Sequence, residues 1–436
     1  MELYIQFLRV LYTIGFYLAF PVILLRLLWR SRKNSHYRHR WNERFGYIKR
    51  LAPHEKSIWV HAVSVGEAIA AIPLIRELKK RHPDLTIIVT NTTPTGSAQI
   101  KSAFNNEILH FFTPFDVSNA VNRFIRRINP QLCVIMETEM WPNLLRCLRR
   151  RKIPVMLANA RLSERSKKNY KIISNITRHM LSTYTIVSAQ GLLDGERFIE
   201  LGLDPKKLMI SGNIKFDIAL PADIEKNAEE LRQKWGTSDR PTVIAASTHE
   251  GEEIILLQAF RKIQAEIPTA LLIIVPRHPG RFEKVGKLCA QSGYRFVSRS
   301  KNEMPTADTD ILLGDTMGEL CLIYAATDVA FVGGSLVSTG GHNLIEPAAL
   351  GLPVLTGPYL HNFTEISKIL KSAGAAQIIH DAKSLANAVI ALFSSKELRE
   401  KMGECAREVV IENRGALEKH LHWIDLKLNH TLEIRK

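Results

Sequence analysis

Cysteine is scarce and unpatterned: five residues, Cys133, Cys147, Cys289, Cys321 and Cys405, with no CxxC pair. An odd, scattered set excludes a disulfide framework and a cysteine-bound zinc, and points to a reducing compartment. No cluster has metal-ligand spacing. The ATP-type phosphate loop, GxxxxGKS or GxxxxGKT, is missing after the strands, and no GxGxxG follows the first strand, as a dinucleotide dehydrogenase would require. There is no tandem repeat and no low-complexity tract. Acidic residues are in deficit, 43 against 59 Lys and Arg, for a formal charge of +16. That surplus suits an anionic partner: nucleic acid, a lipid surface or a phosphorylated substrate. No basic helix with base-reading residues accompanies it, so no nucleic acid is expected.

What is present is a globular chain with one long apolar run. A length of 436 residues exceeds one ordinary core, so two domains are expected, and 46% hydrophobic content excludes disorder. Val10 to Leu28 is almost wholly apolar, with Arg9 and Arg26 near its edges. Its length is near the roughly 20 residues needed to cross a bilayer. No small-residue cleavage site follows, so a cleaved signal peptide is not expected. The basic segment RSRKNSHYRHRWNERFG comes next. Positive flanks stay cytoplasmic, which puts the body of the protein there too. The expectation is an N-terminal membrane-anchor helix, residues 1–29. A helix lying in the membrane plane, or packed on the protein, is the alternative.

Beyond it, strands and helices alternate. IWVHAVS, LTIIVTN, QLCVIMETE, PVMLANA and TIVSAQ read as strands in the first half. PTVIAAST, ALLIIVPRH, TDILLGDT, TDVAFVGGS and LPVLTG do so in the second. They are apolar throughout rather than alternating, as in a parallel sheet covered on both faces. The break lies near GNIKFDIALPAD, and a charged helix, Ile224 to Trp235, follows it. The predicted fold class is α/β, with two Rossmann-like doubly wound domains, residues 30–218 and 219–436, facing across a cleft.

Ligands in such sheets sit at the carboxyl ends of the strands. The polar clusters lie there: HAVSVGE, TNTTPTGS, METEMWPN, NARLSERS, ASTHEGEE, PRHPGR, GDTMGEL and STGGHNLIEP. The stretch Phe331 to Pro358 reads as strand, glycine loop, helix and strand. Bare backbone amides and a helix N-terminus would receive a phosphate there. Asn343 and Glu346 share one helix face. They are either an N-cap with its capping-box partner or ligands of a nucleotide's ribose.

Other positions have two readings as well. Glu67, after Ser64, is a capping-box acid or a general base. His61 is a strand histidine or a catalytic one. Glu137 and Glu139 alternate along a strand end and should face opposite ways, one of them paired to Arg149 or Arg161. Ser247 and Thr248 are an N-cap or possible phosphate ligands. Arg277, His278 and Arg281 are a solvated turn or an anion site. Gly314 to Glu319 is a plain loop or a close backbone approach to a nucleotide. Lys215 is an isolated loop lysine.

Taken in order, these motifs, with PFD, GNIKFD and GGHNLIEPAALGLPVLTGP, resemble the Kdo (3-deoxy-D-manno-oct-2-ulosonic acid) transferases of lipopolysaccharide synthesis. The resemblance runs from the N-terminal segment nearly to the end. It implies an inverting, membrane-associated glycosyltransferase of the GT-B type. Such an enzyme moves Kdo from CMP-Kdo to the 6′-hydroxyl of a lipid A precursor, an acylated and phosphorylated glucosamine disaccharide, at the cytoplasmic face of the inner membrane. CMP-Kdo is a co-substrate, and no cofactor or metal is implied. By resemblance Glu67 is the proton acceptor, and Glu137 and Lys215 stabilise the transition state. Pro276, Arg277, Met317, Gly318, Glu319, Asn343, Leu344, Ile345 and Glu346 form the CMP site. An epimerase of the same fold would need no membrane segment, and a non-enzymatic binding module would leave the polar strand ends unexplained.

Overall fold

The computed structural model of the chain describes residues 2–33, 40–105 and 107–433. It divides into two compact units, Met1–Asp217 with Arg414–Lys436, and Ile218–Asn413. The first holds strands β1 (Ser57–His61), β2 (Thr86–Asn91), β3 (Leu109–Phe112), β4 (Pro130–Met136), β5 (Val155–Ala160), β6 (Ile186–Ala189) and β7 (Leu208–Ile210). The second holds β8 (Thr242–Thr248), β9 (Leu271–Pro276), β10 (Phe296–Ser298), β11 (Ile311–Leu313), β12 (Val329–Val332), β13 (Val354–Thr356) and β14 (Ala376–Ile378).

The strands form two seven-stranded sheets, ordered β3-β2-β1-β4-β5-β6-β7 and β10-β11-β9-β8-β12-β13-β14. The central pairings, β1 with β2 and β4, and β8 with β9 and β12, are parallel. Two doubly wound α/β units are thus as expected. In each, the order reverses between two neighbouring strands: β1 and β4 in the first, β8 and β12 in the second. Loops leaving such a pair diverge to opposite faces and open a crevice at the carboxyl ends.

Both faces of each sheet are covered, which accounts for the continuous apolar runs. In the first unit Trp59, Cys133 and Ile135 pack on one side with Phe124 and Leu144, while Ile58, Val60 and Val134 pack on the other with Leu74 and Ile75. In the second, Ala245 and Ile274 meet Phe260, and Ile244 and Ile273 meet Trp235 and Tyr324. Helices begin where the sequence supplies caps. Ser64 caps Val65–Arg81, Thr93 caps Pro94–Phe104, and Pro142 opens Pro142–Arg150 at a position where a missing N–H costs nothing.

The second domain was expected to run to the C-terminus, but the structure returns the last helix, Ala416–Glu433, to the first unit. Leu421, Ile424 and Leu428 are buried against the first sheet's core, worth roughly 1.5–3 kcal/mol for each such side chain. Asp217 fixes the helix start: its carboxylate accepts the N–H groups of Gly415 and Leu417, both at 2.6 Å.

The apolar N-terminal run is helical, within Glu2–Lys33. A spanning anchor is not what the structure supports, because among the described residues no helix is long and apolar enough to cross a membrane. The physical reason lies in its charges. The residues between Arg9 and Arg26 give about 24 Å of helix, short of an apolar layer of about 30 Å. One side of this helix packs on the first unit. Phe16 and Phe20 meet Phe115, with ring centroids at 6.2 and 5.3 Å, and Asn143 donates to Thr13 at 3.2 Å. Tyr12 hydrogen-bonds Asp116, the acid of the PFD motif. Residues 34–39 of the basic segment lie outside the described residues.

Asp217 offers a test of how the last helix is held. Asp217→Ala leaves two helix N-terminal N–H groups without their cap and should cost about 1 kcal/mol, read as a lower urea midpoint for the first unit. An unchanged midpoint would show that apolar packing alone seats the helix.

Candidate active site

Each unit carries its own cluster. In the first, β1 ends at His61 and the chain turns at Ser64 into the helix Val65–Arg81, which puts Glu67 in its first turn. The capping box is present: Ser64 Oγ accepts from the Glu67 N–H at 3.2 Å, and Glu67 Oε1 accepts from the Ser64 N–H at 3.2 Å. Glu67 Oε2 accepts from the Val63 N–H at 2.7 Å. The cap does not use up the carboxylate, since each oxygen keeps a second lone pair. Glu67 is buried, and burial raises its pKa above the usual carboxylate value, with Glu137 adding to the rise and the Ser64 and Val63 hydrogen bonds opposing it. A rigidly held carboxylate with raised proton affinity has the properties of a general base.

β4 ends beside β1, and Glu137 follows it directly. Its backbone is left-handed, φ 55°, so the alternation expected of Glu137 and Glu139 is broken at the strand end. Both acids act on Glu67 or are acted on by it. Glu137 pairs with Arg161 at 3.0 Å, one of the two partners foreseen, and lies 3.8 Å from Lys215. Lys215 is therefore not a solvated loop lysine. It sits on the short turn Ile214–Phe216, whose Ile214 N–H is held by the Asn159 side chain at 3.0 Å. Asn159 also donates its own N–H to His420 of the returning helix at 3.0 Å. NARLSERS and GNIKFD thus meet at one place: Asn159 fixes the turn that carries Lys215, and Arg161 balances Glu137.

Glu139 is the second of the two strand-end acids. It is half-buried, accepts from Trp141 Nε1 at 2.5 Å, and has its pKa pushed up to about 7 by burial, then by the charges of Glu67 and Glu137. His61 is buried in its strand, its Nδ1 at 2.9 Å from Thr90 Oγ1, and burial holds its pKa down to about 3. A neutral strand histidine is what results.

In the second unit the glycine loop is not bare. The Glu252 carboxylate, fully buried, accepts the N–H groups of Gly334, Ser335, Leu336 and His249 at 2.7–2.9 Å. The amides expected to hold a phosphate are therefore taken by the protein's own carboxylate. Gly333 is required for this closeness, because a Cβ there would lie 2.9 Å from Glu252 Oε2 and from Ser247 O. The helix after the loop, Ile345–Ala349, spans five residues, too short to concentrate a dipole on an anion.

Asn343 accepts the Ile345 N–H at 3.1 Å and donates to Glu346 Oε1 at 3.0 Å. The pair anticipated from spacing is real, as a side-chain bond rather than a capping box. Burial raises the Glu346 pKa, opposed by Asn343 and Arg277. Leu344 and Ile345 are fully buried, so a ligand reaches them through backbone only.

Thr248 is also fully buried and donates to Glu253 at 2.7 Å, so its hydroxyl is not available to a donor. Ser247 sits at the bulge where β8 shifts register, with φ 57°, and is half-exposed. Arg281 is committed to Glu253 at 2.8 and 2.9 Å and to Thr248 O at 2.9 Å. Pro276 ends β9, and Arg277 follows with its N–H on Thr248 O at 3.1 Å. Of the two arginines in PRHPGR, Arg281 is thus taken, while the charge of Arg277 acts on Glu346 and His342. Met317 and Gly318 are exposed, and Gly318 has φ 86°, while Glu319 pairs with Arg299 at 2.9 Å and accepts from Thr316 at 2.5 Å. That pair, led by the Arg299 hydrogen bonds, lowers the Glu319 pKa. Arg299 lies in a stretch, Arg295 to Asp310, from which the sequence supported no assignment.

The coupling of Glu67 and Glu139 has a direct reading in solution. A carboxyl resonance with a midpoint near pH 7 should be seen by carbon NMR and vanish in Glu139→Gln. In Glu67→Gln that midpoint should fall, since the Glu67 charge that helps to raise it is gone. A Glu139 midpoint that does not move would show that the two acids are uncoupled.

Comparison with known proteins bears on both units. The family model described as 3-deoxy-D-manno-octulosonic-acid transferase (kdotransferase) matches residues 39–218, and that described as glycosyl transferases group 1 matches residues 227–409. The chain is 43% identical over 415 residues to the 3-deoxy-D-manno-octulosonic acid transferase of Haemophilus influenzae, covering 95% of this chain and 97% of the relative. It is 34% identical to that of Bordetella pertussis, covering 95% and 98%. A solved glycosyltransferase from Rickettsia africae covers 86% of this chain and 99% of its own at a TM-score of 0.53 and 16% identity, a likeness of fold. With both units matched and near full-length identity above 40% to one relative, the chain belongs to the 3-deoxy-D-manno-octulosonic acid transferases, a family of glycosyltransferases.

Proposed function

We propose that this enzyme transfers Kdo from CMP-Kdo to the 6′-hydroxyl of a phosphorylated, acylated glucosamine disaccharide, the lipid A precursor of lipopolysaccharide synthesis, with inversion. The observation that carries the reading is Glu67: a buried carboxylate, fixed by two backbone N–H groups, at the carboxyl end of β1 where the strand order reverses. In the reaction Glu67 takes the acceptor's hydroxyl proton as that oxygen bonds to the anomeric carbon. The bond from that carbon to the CMP phosphate breaks, and its electron pair leaves with CMP. A single displacement of this kind inverts the centre.

Charge then develops in two places. The anomeric centre gains oxocarbenium character, and Glu137, with Lys215 and Arg161 balancing it, supplies a fixed local field. The departing phosphate gains negative charge, which the reading assigns to Arg277 rather than to a metal ion. Glu346, held by Asn343, receives the ribose hydroxyls, and the exposed backbone at Met317 and Gly318 lines the cytidine end together with Glu319.

The assay is mass spectrometry of products from CMP-Kdo and a tetra-acylated precursor. Glu67→Gln should lower kcat by about 100-fold or more with little change in donor KM. Glu346→Ala should instead raise donor KM. Near wild-type transfer by Glu67→Gln would overturn the base assignment, and an unchanged KM in Glu346→Ala would overturn the ribose role.

Placement at the inner membrane, with the body on its cytoplasmic side, is part of the same reading. The helix Glu2–Lys33 presents Leu18, Val22 and Leu25 outward, each at least 65% exposed, while Phe16 and Phe20 face the protein. Spacings of four and three residues put those side chains on one helix face, suited to lying in the interface rather than crossing it. Flotation with anionic vesicles checks this. Replacing Leu18, Val22 and Leu25 by Ser should strip most of the protein from the vesicles, and an undiminished bound fraction would rule this helix out as the contact.

A further inference from the structure

Three histidines converge in the second unit and have no part in the mechanism so far. His249 follows β8, His278 follows β9, and His342 closes the loop after β12. β8 and β12 are the neighbours between which the strand order reverses. The His249 and His342 rings are stacked, with centroids at 5.0 Å and an interplanar angle of 11°, and their Nε2 atoms are 2.8 Å apart. His278 meets His249 edge-on at 5.3 Å. Gly334 permits the packing: with φ 66°, a Cβ there would lie 2.8 Å from the His342 ring.

Two Nε2 atoms at that distance form a hydrogen bond only if one carries a proton and the other does not. A second proton would set N–H against N–H, so the doubly charged pair must part and needs anionic partners. The two carboxylates whose charges reach His249, Glu252 and Glu253, already have partners. Glu252, behind His249, is occupied by four backbone N–H groups, and Glu253 by Arg281 and Thr248. The other groups whose charges act on the pair are Arg277, Arg281 and His278, each cationic or neutral. Burial first, then Arg277, hold the His342 pKa down to about 4, and burial lowers that of His249. At neutral pH the unliganded pair is uncharged and shares one hydrogen.

We propose that the His249–His342 pair is a proton-accepting anion seat of the donor site: donor binding breaks the shared hydrogen bond, the pair takes one proton from solvent, and both Nε2–H groups donate to the donor's anionic groups. The proposal rests on the CMP-Kdo reading and names residues beyond those that reading uses. Asn343 and Glu346, next in the chain, would hold the ribose while the histidines sense whether the donor's phosphodiester and carboxylate are in place. Because the charged form is the one the anion favours, donor affinity should fall as pH rises from about 4, the unliganded His342 value, to the pKa of the liganded pair, by up to about tenfold per pH unit for one linked proton.

Calorimetry of the full-length enzyme with CMP-Kdo and with CMP tests this, run at one pH in two buffers of different ionisation enthalpy. The expected result is uptake of close to one proton per donor bound. His342→Gln should abolish that uptake, flatten the pH dependence and raise donor Kd several-fold, with unchanged thermal unfolding as the check on folding. His249→Asn, from the other side of the pair, should do the same. Binding without proton uptake overturns the histidine proposal and leaves the CMP-Kdo reading standing. Absence of any CMP-Kdo binding overturns both.

Discussion

A parallel sheet buried on both faces has nowhere to present polar groups except the ends of its strands, and this constraint orders both units. The central strands are buried along nearly their whole length, so the polar side chains of both sites stand at their carboxyl ends or in the turns that follow. Where strand order reverses, two such turns diverge and leave room. Glu67 and Glu137 stand at that place in the first sheet, and His249 and the Gly333–Leu336 loop in the second. The polar groups there are costly to bury, so each is tied down: Glu67 by backbone N–H groups, Glu137 by Arg161 and Lys215, Glu252 by four amides.

The two buried carboxylates at helix starts show how one geometry serves different ends. Glu252 fills a nest of amides of the kind that receives a phosphate, and so fixes the glycine loop as a rigid wall. Glu67 uses only two amides and keeps acceptor capacity. The difference lies in the number of N–H groups that converge, which depends on how closely the loop after the neighbouring strand can approach. Gly333 lets it approach at Glu252. The two arginines of PRHPGR differ as well: Arg281 is paired with Glu253, while the charge of Arg277, four residues earlier, acts on Glu346 and His342.

The interior strands of both sheets were legible in the sequence because their apolar runs are continuous. The four strands that were not, β3, β7, β10 and β14, are the four sheet edges. They are three or four residues long and only partly buried, so neither length nor hydrophobicity marks them off from loops. In the site, Glu67, Asn343 and Glu346 were legible through cap spacing, and Arg161 as a carboxylate partner through charge. The partners of Glu139 and Glu319, Trp141 and Arg299, were not, since they depend on a left-handed residue at a strand end and on a loop without periodicity. Thr248 stayed open between N-cap and possible phosphate ligand because a strand-end threonine looks the same in sequence whether it points outward or, as here, inward to Glu253.

The sequence by itself determined the class of fold, the break near residue 217 and the family, because hydrophobic periodicity and ordered motifs are local properties of the chain. Only the tertiary structure decided that the last helix returns to the first unit, that the glycine loop's amides belong to Glu252, and that the Nε2 atoms of His249 and His342 meet at 2.8 Å. Each depends on which distant segments approach to within a hydrogen bond, and spacing along the chain carries no record of that.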